Sequence, residues 1–150
     1  MAYTLIEQQS RDLDIFLRDK GKIIHIASAG GRLPNILANS DLTSEDFFER
    51  LDSYEPIFEV EINGNIGELL GIQEAGLDNY LEDFRLMARR GFYSYDKTRI
   101  GNFDDRFFHL VAYPKFGDTK FIYREDDLII SNKNFPTDFK SFDLFNLFEG

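Results

Sequence analysis

Apolar and polar positions along the chain fall into a succession of different periods. Leu5, Ile6, Leu13, Phe16 and Leu17 recur at near-helical spacing, and Thr4 and Glu7 stand at the spacing of a capping box. A first helix is therefore predicted from Tyr3 to Lys20, ended by Gly21. Ile23 to Ala27 is apolar on both faces except for His25, which predicts a central strand. Thr43 with Asp46, and Leu42 with Phe47, mark the start of a second helix over about Ser44 to Tyr54, which Pro56 stops. The stretch "IFEVEIN" alternates: Phe58, Val60 and Ile62 point one way, Glu59 and Glu61 the other. It reads as a half-exposed edge strand whose outward charges discourage strand addition. Gly64 to Gly76 reads as a loop with one helical turn around Ile66 to Leu70. Leu77, Tyr80, Leu81, Phe84 and Met87 then define a helix over Leu77 to Arg90. Its acidic residues lie toward the start, and Arg89 and Arg90 occupy the last turn, as the helix dipole favours.

Four more strands are predicted: Phe92 to Tyr95, Arg106 to Tyr113, Lys120 to Arg124 and Leu128 to Ser131. The connections "KFGD" and "REDD" are short and polar, so the last three strands are expected to form an antiparallel meander. Phe135, Phe139, Phe142, Phe145 and Phe148 predict a closing helix, in part 3₁₀ because the spacing is tight. A Phe-rich tail that docks the chain into a larger assembly is the alternative. Together these elements predict one α+β domain over residues 1–150. It has an antiparallel sheet of about five or six strands, with about three or four helices packed on one face or end. The order of helices and strands argues against a doubly wound parallel sheet.

Composition narrows the chemistry. A chain of 150 residues suits one domain, and one of this size buries roughly 70% of its unfolded surface. There is no cysteine, which excludes disulfides, thiol catalysis and Cys-ligated metal sites, and fits a reducing compartment. No N-terminal segment resembles a signal peptide and no run approaches the ~18 apolar residues of a membrane span, so a cytoplasmic location is expected. The abundant Phe and Tyr read as core packing.

The charge changes the picture most. The net charge is −10, and residues 41–85 hold 13 acidic residues against Arg50 and Arg85 alone, a local balance of −11. The rest of the chain is nearly neutral. Such a field repels nucleic acid and anionic lipid and attracts basic partners, although an acidic surface also serves solubility.

Candidate chemistry is sparse. In "HIASAGGRLP" an apolar run ends at Gly30-Gly31-Arg32-Leu33-Pro34. Neither the Walker pattern nor Gly-x-Gly-x-x-Gly is present, so a tight turn is favoured over an anion site built on Arg32. His25 and His109 are the two histidines. His109 is the better candidate acid or base of the two, because Asp104 and Asp105 lie just upstream, but a satisfied, partly buried histidine is the favoured reading. No metal-ligand spacing joins them, and no cofactor or metal is expected. Glu59 and Glu61 stand about 7 Å apart on a strand, which suits an acidic outer face better than a carboxylate pair for catalysis. Tyr93, Ser94, Tyr95 and Asp96 either line a groove or complete a strand.

These features predict a non-catalytic acidic binding module for a basic protein. A concrete form is an inhibitor or immunity-type protein that occludes a basic toxin or nuclease. The expected partner-binding residues are Glu45, Glu49, Asp52, Glu59, Glu61, Asp78 and Glu82. The alternative is a small enzyme or ligand-binding domain with a pocket near His109, Asp104, Asp105 and Arg32.

Overall fold

A computed structural model of the chain describes residues 3–39, 51–115 and 128–149. The first element, α1 (Leu5–Ser10), carries the predicted capping box: Thr4 Oγ1 accepts from the Glu7 amide and Glu7 Oε1 accepts from the Thr4 amide, both at 3.1 Å. The helix stops there. Residues expected to continue it form β1 (Asp14–Asp19), which turns directly into β2 (Lys22–Ala27). The predicted helix from Tyr3 to Lys20 is corrected accordingly. The physical reason is the two-residue turn: Lys20 (φ 48°) and Gly21 (φ 82°) are both left-handed, the geometry whose twist matches a tight hairpin. Gly21 closes a hairpin rather than a helix.

After β2 come α2 (Asn35–Ala38), a 3₁₀ turn (Leu51–Ser53), β3 (Val60–Ile62), α3 (Ile66–Leu70) and the long α4 (Glu74–Arg89). Then follow β4 (Phe92–Lys97), β5 (Phe107–Pro114), β6 (Ile129–Ser131), β7 (Phe142–Asp143) and α5 (Leu144–Glu149). The helical turn at Ile66–Leu70 and the long helix lie where the sequence places them, as do the central β2 and the edge strand β3. The Thr43-capped start of the second helix, the strand over Lys120 to Arg124 and its two connections lie outside the described residues.

The strands form one mixed sheet in the order β3-β5-β4-β2-β1-β6, with β7 added to β5. Most pairs are antiparallel; β2 with β4 and β1 with β6 are parallel. This is an α+β fold. The expected meander is not formed by β5 and β6, because β6 pairs with β1 on the far side of the sheet. Asp19 explains that placement. Its fully buried carboxylate accepts from Ser131 Oγ (2.7 Å) and from the amides of Lys133 (2.7 Å), Asn134 (3.3 Å) and Phe135 (2.8 Å). One side chain thus fastens the segment after β6 to the end of β1.

Alternation along the strands divides the core into two layers. Ile15, Leu17, Ile24, Ile26, Tyr93, Tyr95, Phe108 and Leu110 face α2, Phe135 and Leu144. On the other face Phe16, Ile23 and Phe92 pack with Tyr54 and Met87, while Ala27 and Val111 pack with Leu81, Phe84 and Ala88 of α4. The long helix thus covers one face and short segments cover the other. Among the described residues no helix is long and apolar enough to cross a membrane.

Candidate functional site

The face of the sheet beneath α4 is not wholly apolar. A row of polar side chains crosses it, and strand register sets the row. His25 of β2 is paired with Ser94 of β4, and Asp96 of β4 with His109 of β5. Asp14 enters from the start of β1.

His25 is buried between two partners. Its Nε2–H donates to Asp14 Oδ1 at 2.7 Å, since a carboxylate only accepts. Its Nδ1 lies 2.6 Å from Ser94 Oγ, which in the neutral imidazole is the donor. The order Ser–His–Asp is the order used for acyl transfer. Here, however, Ser94 is 0% exposed in the middle of a central strand, so its hydroxyl is not presented to a substrate. The relay holds three strands together from within.

A second relay lies one step along. The Tyr80 hydroxyl, reaching down from α4, donates to Asp96 Oδ2 at 2.6 Å and lies 3.3 Å from His109 Nε2; Thr98 Oγ1 is 2.9 Å from His109 Nδ1. A single proton order satisfies it: Thr98 to His109, His109 to Tyr80, Tyr80 to Asp96. Burial pushes Asp96 up to about 6, opposed by the Tyr80 hydrogen bond, and burial pushes His109 down to about 4. Burial and the neighbouring Asp96 raise the Tyr80 phenol. At neutral pH the relay therefore holds a neutral imidazole beside a carboxylate.

The motif "HIASAGGRLP" resolves into turn and packing. Asp12 Oδ1 accepts from the Ala29 amide at 2.8 Å, Gly30 has φ 71°, and Gly31 lies against the buried Lys97 side chain. A Cβ on Gly31 would stand 2.5 Å from Lys97 Cδ and 2.9 Å from its Nζ. The Lys97 ammonium donates to the Asp105 carbonyl, and burial lowers its pKa.

Of the pocket residues of the enzyme alternative, Arg32 and Asp104 are paired with each other, and no hydrogen bond or ion pair among the described residues ties either to His109. Arg32 meets Asp104 at 3.7 Å, and Asp105 meets Arg99 at 3.0 Å and accepts from the Phe107 amide. Both nitrogens of His109 are instead engaged by Thr98 and Tyr80.

The acidic residues are distributed as follows. Glu45 and Glu49 lie outside the described residues, and Asp52 lies in the 3₁₀ turn. Glu59 stands 3.7 Å from Lys115. Val60 and Ile62 pack toward α4, so Glu61 projects from the opposite face, beside Tyr113. Asp78 and Glu82 share the outer face of α4, where Asp78 pairs with Arg85 at 3.2 Å. Glu82 makes no ion pair among the described residues.

Three acidic residues outside the expected set complete this side of the molecule. Asp83 of α4 lies near Asp12 and Asp14 at the start of β1. Partial burial raises the Asp12 carboxyl against the hydrogen bond from the Ala29 amide; the charge of Asp14 and, less strongly, that of Asp83 add to the rise, and His25 opposes it. A cleft of about 320 Å³ opens there, lined by Asp14, His25 and Leu51 together with Asp83, Leu86, Met87 and Arg90 of the long helix's C-terminal end. The Lys20-Gly21 turn between two apolar runs is the signal that would have paired residues 14–19 with β2 and so brought Asp14 toward His25. No signal of comparable range marks Ser94 or Tyr80.

Comparison with protein-family models, with characterised proteins and with solved structures returns no match to the chain.

Proposed function

We propose that the chain is a non-catalytic binding module that offers an acidic face to a basic protein, in the manner of an inhibitor that occludes the cationic cleft of a toxin or nuclease. One observation supports this reading above the others: Glu74, Asp78, Glu82 and Asp83 project from the exposed first three turns of α4, and Asp83 extends that potential to Asp12 and Asp14. A rigid helix bearing like charges at a spacing of one turn is a suitable surface for steering a cationic partner. Self-repulsion on such a surface is relieved on docking, which favours association over isolated folding. Glu59 and Glu61 contribute less in this reading, because one meets Lys115 and the other faces away from α4.

The test couples affinity capture from the native cell with two charge-matched double variants. Asp78→Lys with Glu82→Lys alters the α4 face; Glu59→Lys with Glu61→Lys changes net charge equally elsewhere. The expected result is a basic partner whose association slows at least about tenfold with the α4 pair and much less with the control pair. Equal effects of the two pairs, or a partner that is not basic, would overturn the reading.

A further inference from the structure

We infer that the outer face of α4 is a self-association surface: a second copy of this chain lays its own α4 against it antiparallel, so that Asp78 meets Arg89 and Glu82 meets Arg85 across a two-fold axis. The inference goes beyond the docking reading above and does not rest on it.

The order of charges carries it. Asp78, Glu82, Arg85 and Arg89 follow one another at helical spacing and form one stripe, about 16 Å long. They share a shallow hollow of about 570 Å³ with Ala75 and Leu86, and Leu86 is 45% exposed despite its size. Within one chain this order is unfavourable. Like charges stand one turn apart in both halves of the stripe, Asp78 with Glu82 and Arg85 with Arg89, whereas a solitary helix is stabilised by opposite charges at that distance. The helix dipole favours acids at the start and bases at the end, but it acts only within the first and last turns. Asp78 reaches Arg85 at 3.2 Å, and Glu82 and Arg89 make no ion pair among the described residues.

Turned end for end, the stripe complements itself. A two-fold axis midway between Glu82 and Arg85 sets the two acids of each copy against the two arginines of the other, with no like charges directly opposed. Leu86 gains apolar cover beside these pairs, and the small Ala75 lets the helices approach. The exposed Asp78–Arg85 pair loses little when its members change partners. Neighbouring charges leave the stripe available. Glu59 shares a second hollow with Arg85 and Arg89 but stands 3.7 Å from Lys115, and Asp83 lies toward Asp12 and Asp14. The net charge of −10 repels two copies at long range and the contact is confined to one helix, so the dimer is weak and reversible.

Sedimentation equilibrium of the full chain tests it at about 0.15 M salt, where a Debye length of about 8 Å screens distant charges more than touching ones. The expected result is a monomer–dimer equilibrium with Kd of roughly 100 μM. Arg85→Glu with Arg89→Glu makes the stripe wholly acidic, and Asp78→Lys with Glu82→Lys makes it wholly basic. Each variant alone is expected to stay monomeric where the natural chain dimerises. An equimolar mixture of the two is expected to recover a dimer at least as tight as the natural one. A misfolded variant cannot restore association, so the mixture separates lost charge pairing from lost folding. A natural chain that is still monomeric at about 1 mM, a dimer that survives either charge change, or a mixture that stays monomeric would overturn the inference. The two proposals fail separately. Arg85→Glu with Arg89→Glu leaves Asp78 and Glu82 in place, so it removes self-association and keeps a basic partner. Self-association without any basic partner sensitive to Asp78 and Glu82 removes the docking reading alone. Such a partner, beside a natural chain that does not self-associate, removes the present inference alone.

Discussion

The Tyr80 hydroxyl donates to Asp96 Oδ2 at 2.6 Å, and this bond joins α4 to the centre of the sheet through the polar row that crosses the layer beneath it. A buried carboxylate is tolerated there because the phenol and the Lys97 amide satisfy it. Tyr80→Phe removes the donor and is expected to destabilise the fold by about 1–3 kcal/mol. Urea unfolding checks it.

Asp96 makes that stability depend on pH in an unusual direction. Its folded pKa is raised to about 6, above the unfolded value, so the folded state prefers the protonated acid. The penalty is absent below about pH 4, grows as pH rises through 6 and is complete above it. Asp96→Asn is therefore expected to gain roughly 3 kcal/mol relative to the natural chain between pH 4 and pH 8. A difference that does not change with pH would contradict this.

His109 acts with the opposite sign. Burial lowers it to about 4, so the unfolded chain takes up the proton first as the solution is acidified. Its contribution is complete above about pH 6.5 and is lost as pH falls toward 4. The imidazole is expected to remain neutral at pH 5.5 in the folded protein, with the proton on Nε2. Ring ¹⁵N shifts read both properties.

Asp19 should be the carboxylate whose loss is most local in effect. Burial raises its pKa, but the four hydrogen bonds from Ser131, Lys133, Asn134 and Phe135 outweigh burial and leave it lowered. Its contribution is present above the unfolded pKa near 4 and is lost as pH falls through the lowered folded value. Asp19→Ala is expected to cost about 2–4 kcal/mol and to free the segment after β6, with amide exchange at Lys133, Asn134 and Phe135 accelerated before the rest of the chain.

Gly31 and Lys97 form a testable pair. Gly31→Ala forces the new methyl into the Lys97 stem and is expected to cost about 1–3 kcal/mol. Lys97→Ala costs packing and a buried hydrogen bond, yet it vacates that space. The cost of Gly31→Ala is expected to vanish in the double variant, and additive costs would exclude the contact as the cause.

Much of this architecture is legible in the sequence where a single period dominates. Leu77, Tyr80, Leu81, Phe84 and Met87 admit only a helix, and Val60 and Ile62 with Glu59 and Glu61 admit only an edge strand. Residues 13–19 satisfy two periods at once. Ile15, Phe16 and Leu17 are all buried because β1 is covered on both faces, so the alternation that marks a strand is erased. That misreading concealed Asp14, and with it the relay to His25 and the cleft. The place of β6 was hidden for another reason: it is set by the Asp19–Ser131 contact across 112 positions, which no local pattern encodes. Ser94 and Tyr80 became site residues only through register and helix docking.

The most direct test of the acidic docking face is the salt dependence of association with the captured basic partner. The natural chain should lose association rate steeply between low and physiological ionic strength. Asp78→Lys with Glu82→Lys should flatten that dependence, while Glu59→Lys with Glu61→Lys should largely preserve it. The same steep dependence in the α4 variant as in the natural chain would contradict the account.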